Sequence, residues 1–216
     1  MSRTILVINP NTSEASLAMM LGVARTVLPP GFTASGICAA TGPSMIVSAE
    51  QLTAQASEVV RLGFSTNASA IIVAAFGDPG VAELRRMVTV PVTGIGEASI
   101  MEAQTRGRRF GIATTTPGLV ASIAGLVEQL GLGSGFTGVR LAQGGPLALA
   151  ADPAAQEQAL AEAVCACVEQ DGAEAVIIGG GPLSAAAAAL GRRLSVDIIE
   201  PLPAAVRRIA DLVKNG

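Results

Sequence analysis

Histidine is absent from this chain, as are tryptophan and tyrosine, and five phenylalanines leave the aromatic content at 2%. Without His the chain lacks the side chain most used for proton transfer near neutral pH, every His-dependent triad and the commonest nitrogen ligand of zinc. Charge is scarce too, at 14% of 216 residues with a net −3 and an isoelectric point near 5.0. Nothing electrostatic therefore draws the chain to nucleic acid. No Lys/Arg-rich amphipathic stretch suits a membrane surface, and no tract of 18 apolar residues suits a membrane span. The three cysteines, Cys38, Cys165 and Cys167, are an odd set without Cys-x-x-Cys spacing. They do not read as a disulfide framework, and they fit a reducing compartment. Met1-Ser2-Arg3 leads straight into a strand-like segment, so the expectation is no signal peptide and a cytoplasmic location.

Half of the residues are hydrophobic, so the core must be built from Ala, Val, Leu and Ile. Short β-branched runs alternate with Ala/Leu-rich stretches, the signature of an α/β fold with parallel strands. The expected strands are Thr4–Asn9, Phe32–Cys38, Ala70–Ala74, Val90–Gly94, Phe110–Ala113, Thr137–Leu141, Ala175–Ile178 and Val196–Ile199. Their near-continuous apolar character suits strands covered by helices on both faces. Helices are expected between them, including Ser48–Leu62, Leu119–Leu130, Pro153–Gln170 and Pro203–Lys214.

An internal repeat organises these elements. Thr4-Ile-Leu-Val-Ile-Asn-Pro-Asn-Thr12 stands 105 residues before Arg109-Phe-Gly-Ile-Ala-Thr-Thr-Thr-Pro117, and Ala70-Ile-Ile-Val-Ala-Ala75 the same distance before Ala175-Val-Ile-Ile-Gly-Gly180. Phe32-Thr33 is echoed by Phe136-Thr137, and Val90-Pro91-Val92 by Ser195-Val196-Asp197. The expected architecture is two pseudo-symmetric, four-stranded parallel α/β lobes. Lobe 1 comprises residues 1–98 plus a C-terminal segment of about 200–216, and lobe 2 residues 99–199.

Ligands of parallel sheets bind beyond the carboxyl ends of the strands, and clefts between lobes are common pockets. The loops after the first and third strand of each half are therefore candidates: 9–13, 75–80, 114–117 and 179–184. All are rich in Asn, Thr, Ser and Gly, run into expected helices and contain no Lys or Arg. Such loops suit a small carboxylate or imide held by neutral donors at helix N-termini, although Asn, Thr and Ser there also serve as plain helix caps. The run Gly179–Gly181 has neither the spaced glycines of a dinucleotide site nor the lysine of a P-loop.

Ile8-Asn-Pro-Asn-Thr-Ser13, Ala75-Phe-Gly-Asp-Pro-Gly80, Thr114-Thr115 and Gly94-Ile-Gly-Glu-Ala98 together resemble the Asp/Glu/hydantoin racemase superfamily, closest to hydantoin and allantoin racemases. The resemblance spans nearly the whole chain. It implies two pseudo-symmetric lobes, no cofactor or metal, homo-oligomers, and a small-molecule substrate. It further implies two cysteines, one per lobe, that flank the stereocentre and pass protons on opposite faces. By the same resemblance the binding residues are Asn9, Asn11, Thr12, Ser13, Ala75, Phe76, Gly77, Thr114, Thr115, Gly180, Gly181 and Pro182.

The chain departs from that pattern at its chemical centre. The two cysteine positions are Ala75 and Gly180, 105 residues apart, and neither side chain transfers a proton. Asp78 is the nearest ionisable residue and a candidate catalytic group, or else the cap of a helix that begins at Pro79. Glu97 is a second candidate, or a partner of a helix dipole; Glu200 holds the corresponding region of the second half. The resulting expectation is a racemase-like, cofactor-independent isomerase acting on a hydantoin-like ring or α-substituted carboxylate, with its two-thiol chemistry lost or replaced. The alternatives are a lyase or hydrolase on the same substrate class, and a non-catalytic binder of small anions.

Overall fold

The computed structural model describes residues 3–215; Met1, Ser2 and Gly216 lie outside the described residues. In chain order the elements are β1 (Arg3–Asn9), α1 (Glu14–Val27), β2 (Phe32–Cys38), α2 (Ala49–Ala54), α3 (Ala56–Phe64), β3 (Ala70–Val73), α4 (Val81–Met87), β4 (Val92–Gly94) and α5 (Ile95–Ala103). The second half repeats the pattern with β5 (Phe110–Thr114), α6 (Val120–Gln129), β6 (Phe136–Leu141), α7 (Pro146–Ala151), α8 (Pro153–Glu169), β7 (Ala175–Ile178), α9 (Ser184–Arg193) and β8 (Asp197–Ile199). Helix α10 (Pro201–Asn215) closes the chain. Pro201 and Pro203 both sit in its first turn, where a missing N–H costs no helical bond.

The strands form two all-parallel, four-stranded sheets of identical order, β2-β1-β3-β4 and β6-β5-β7-β8. The central strands β3 and β7, Ala-Ile-Ile-Val and Ala-Val-Ile-Ile, are buried at every residue. Helices cover both faces of such strands, and each buried Ile or Val contributes about 1.5–3 kcal/mol of transfer free energy. Val92–Gly94 is shorter than the strand expected over Val90–Gly94. Pro91 has no N–H to pair, and its carbonyl accepts from Ile71 N–H at 2.9 Å just before the ladder begins.

The expected helix over Ser48–Leu62 breaks into α2 and α3 at Gln55, a buried residue. Oriented with its nitrogen inward, the Gln55 amide donates to the carbonyls of Pro10 (3.0 Å) and Thr41 (3.2 Å). The break thus ties two loops at the carboxyl edge of the first sheet. Helix α10 returns to that sheet, packing on α1, α5, β3 and β4. Helix α5, which spans the expected boundary at 98/99, also contacts α6 and β7. No helix among the described residues is long and apolar enough to cross a membrane.

Candidate active site

The carboxyl ends of β1, β3, β5 and β7 converge on one cavity of about 50 Å³ between the lobes. Ala74, Ala75 and Phe76 line it from the first lobe, and Gly179, Gly180, Gly181, Pro182 and Leu183 from the second. The lobes touch here through backbone. A Cβ on Gly181 would stand 2.6 Å from the carbonyl oxygen of Ala74, so only glycine permits this approach. Positions 75 and 180, one from each lobe, therefore border a shared space.

Asn11, Thr115 and Thr116 supply the polar side chains of the lining, and it includes no ionisable side chain. Asn11 and Thr116 stand 105 residues apart, so the repeat could have indicated Thr116 as the partner of Asn11. Asn9 lies beneath them, fully buried. Its amide donates to Asn11 Oδ1 (2.8 Å) and to the Ser13 carbonyl (3.1 Å), while Asn11 Oδ1 also accepts from Ser13 N–H (2.9 Å). Ser13 caps α1, its Oγ accepting from Ser16 N–H at 3.2 Å. Thr12 N–H donates to the Pro43 carbonyl at 3.1 Å. Asn9, Thr12 and Ser13 thus shape the loop, and Asn11 is its member on the cavity wall.

The two threonines of the 114–115 pair have opposite fates. Thr114 donates its hydroxyl to the Gly179 carbonyl at 2.8 Å, stitching β5 to the loop after β7. Thr115 is 1% exposed, lines the cavity, and its hydroxyl has no hydrogen-bond partner among the described residues. The backbone N–H groups of Phe76, Thr115 and Gly180 likewise meet no acceptor among the described residues. A buried, unsatisfied hydroxyl costs about 1–3 kcal/mol, and a cluster of free neutral donors suits an oxyanion or imide. Thr115→Val, of similar shape, is accordingly expected to leave the unliganded protein as stable as before or more so, while weakening the binding of a small imide or carboxylate about tenfold or more. Thermal melts with and without ligand check both halves of that expectation.

The remaining wall was not foreseen. Met45, Ile46, Leu52 and Leu119 line the cavity, the first two from the segment 39–48 between β2 and α2, a strap that reaches from the first lobe to the second. A Cβ on Gly118 would fall 2.3 Å from the Val47 carbonyl oxygen, so the strap seats directly on the second lobe. The loop following β6 supplies nothing equivalent to the lining, and the repeat therefore carried no signal for it. Gly77 stays off the wall; it has φ of 111° and lies under the Leu52 side chain.

Asp78 and Glu97 do not line the cavity. Asp78 adopts φ of 52°, the left-handed region that Asp tolerates better than most residues. This turns its carboxylate away from α4, which begins after Gly80. Oδ1 accepts from Gly96 N–H (2.8 Å) and Oδ2 from Glu97 N–H (2.6 Å), so Asp78 caps α5. Burial pushes its carboxyl up to about 7, against the two backbone donors and Arg85, which favour the charge. Glu97 Oε1 accepts from Thr93 Oγ1 (2.7 Å) and is ion-paired with Arg85 Nη2, with Arg208 Nε 3.8 Å away. Glu200 lies in a separate crevice with Met19, Arg192 and Pro203.

The thiols are equally remote. None of Cys38, Cys165 and Cys167 borders the cavity. Cys38 packs in the core beside Asn9, and burial raises its thiol above the ordinary value. Cys167 is buried on the far face of the second sheet, pushed up to about 11 by burial, and Cys165 is exposed. Among the described residues no group of three or more Cys, Asp or Glu is placed to hold a metal ion.

Comparison with known proteins accords with this geometry. The hydantoin racemase of Paenarthrobacter aurescens is 31% identical over 216 residues, covering 98% of this chain and 92% of its own. Solved structures of allantoin racemase from Klebsiella pneumoniae and from Pseudomonas fluorescens superpose with TM-scores of 0.94 and 0.93 at 29% and 26% identity. They cover 100% and 99% of this chain and 89% and 92% of theirs. Residues 5–209 match the family described as Asp/Glu/hydantoin racemase, and with two lobes, parallel sheets and an inter-lobe cavity in place, the chain belongs to that family.

Proposed function

We propose that this protein is a cofactor-independent, racemase-like isomerase of a small hydantoin-like ring or α-substituted carboxylate that works without a two-thiol relay. One observation carries this reading: positions 75 and 180 border a common cavity whose lining offers neutral donors and no ionisable side chain. The relatives named hydantoin racemase and allantoin racemase act on rings with an acidic α-C–H between carbonyl and nitrogen, which is the substrate chemistry the donors suit. A ring carbonyl or imide accepts from Thr115 and from the backbone N–H groups of Phe76 and Gly180. Water admitted with the substrate removes the α-proton, the electron pair passes into the carbonyl, and the donors hold the resulting enolate. The hydronium so formed returns a proton to either face, or a second water does so and its hydroxide is neutralised by that hydronium, so no net charge is left behind. Asp78 and Glu97 act as positioning residues that hold α5 and the 75–80 loop. Self-association is proposed on the same footing, with Phe64 and Met87 exposed on the packed helices α3 and α4.

Proton NMR in D2O tests the reaction. The expected result is α-proton exchange of a 5-substituted hydantoin above the solvent rate, with inversion at a comparable rate and no loss of activity after thiol alkylation. Exchange no faster than in buffer refutes isomerisation. The lack of a side-chain base also favours a second reading, ligand binding without turnover. That reading predicts a saturable rise in melting temperature and no exchange.

A further inference from the structure

We infer that the apolar wall formed by Met45, Ile46, Leu52 and Leu119 selects the α-substituent of the ligand, admitting a short aliphatic group and rejecting a polar one. The inference rests on the proposed function, because it takes positions 75 and 180 as the two faces of the α-carbon. The cavity is framed by residues at the repeat distance of 105: Asn11 with Thr116, and Ala75 with Gly180. If the C–H bond points toward 75 in one enantiomer and toward 180 in the other, the ring and the substituent keep to the plane between them. The free donors at Thr115, Phe76 and Gly180 take the ring's oxygens. What remains is the part of the lining that breaks the pseudo-symmetry: the strap residues Met45 and Ile46 with Leu52 and Leu119, and Pro182 and Leu183, whose counterparts Gly77 and Asp78 stay off the wall.

That remaining wall is apolar and continuous. Ile46, Leu52, Phe76 and Leu119 belong to one buried cluster. Leu52 lies over Gly77, and the strap backbone at Val47 abuts Gly118 beside Leu119. None of these side chains offers a hydrogen bond. A ureido, amide or charged substituent directed here would lose its water partners and gain none. An aliphatic one would exchange water for close packing at about fourfold in affinity per methylene. The cavity of about 50 Å³ holds only a few waters. A hydantoin ring with its substituent is larger than that, so binding requires the 39–48 strap to move outward, further for a benzyl than for an isopropyl group.

Equilibrium binding to a series of hydantoins tests the wall without relying on turnover. The probes are unsubstituted hydantoin and its 5-methyl, 5-isopropyl, 5-benzyl and 5-ureido derivatives. The expected order in the unaltered protein is tighter binding from hydrogen to methyl to isopropyl. The benzyl compound binds more weakly than isopropyl, and the ureido compound at least about tenfold more weakly than isopropyl. Ile46→Ala should move the optimum toward benzyl, and Met45→Ala, at a half-buried position of the strap that leaves the core intact, should move it the same way. A ureido compound that binds as well as isopropyl, or an order indifferent to the substituent while unsubstituted hydantoin still binds, overturns the selective wall and leaves the proposed function standing. If no hydantoin binds, unsubstituted included, both fall.

Discussion

Ala75→Cys combined with Gly180→Cys is expected to raise hydantoin racemisation by roughly 10²–10⁴-fold, the usual contribution of positioned acid–base groups. Each replacement adds little bulk. Ala75 lines the cavity and already carries a Cβ, so a thiol adds one atom. Gly180 has an extended backbone with φ of 160°, and a Cβ there would meet the flexible end of Leu183 at 3.2 Å. That contact requires a shift of a few tenths of an ångström. The single variants give the sharper signature. One thiol serves one face, so Ala75→Cys or Gly180→Cys alone should incorporate deuterium into one enantiomer with configuration largely retained. Inversion should become fast only when both are present. Chiral chromatography alongside NMR in D2O separates these results. A double variant that folds, binds hydantoin and gains nothing would mean that the ends of the cavity do not address one stereocentre.

Asp78→Ala should be strongly destabilising, at about 2–4 kcal/mol, a fall of roughly 5–15 °C in melting temperature for a chain of this size. The change leaves the buried N–H groups of Gly96 and Glu97 without an acceptor and forces alanine into a left-handed conformation. Asp78→Asn keeps the backbone preference and one acceptor, so it should cost about half as much. The 75–80 loop hangs on this cap, and hydantoin affinity should fall in parallel.

The same residue predicts a pH dependence. The folded chain holds the Asp78 proton to about pH 7, whereas the ordinary value is 3.8. Across that window the folded state binds more protons than the unfolded one, so this residue's contribution to stability declines as pH rises from about 4 to 7. Asp78→Asn should remove that slope. Denaturant titrations of both proteins at several pH values give the difference directly, and parallel curves would show that Asp78 does not titrate there.

Adjacent residues show how far local pattern reaches. The apolar runs, the glycine and proline punctuation and the 105-residue repeat specify two like sheets, because burial on both faces demands small or apolar residues along the central strands. They also bring Ala75 and Gly180 into register, since loops at the same ends of duplicated sheets meet. Asn11 and Thr116 follow by the same logic. Asp78 is different: its side chain reaches 18 residues forward to α5, and no local spacing distinguishes that from capping the helix beside it.

Thr114 and Thr115 make the point most directly. They are identical in chemistry and consecutive in the chain, yet one is spent on the Gly179 carbonyl and the other is left open to a ligand. Strand alternation says that they point to opposite sides; which side holds an acceptor depends on where another strand lies. The Met45–Ile46 strap belongs with them, having no counterpart in the second half and no periodicity of its own. Covalent order was therefore enough for architecture and for the positions that symmetry relates. Which polar atoms stay unsatisfied, and which apolar ones close the cavity, emerged only when distant segments packed, because satisfaction and burial are properties of neighbours in space.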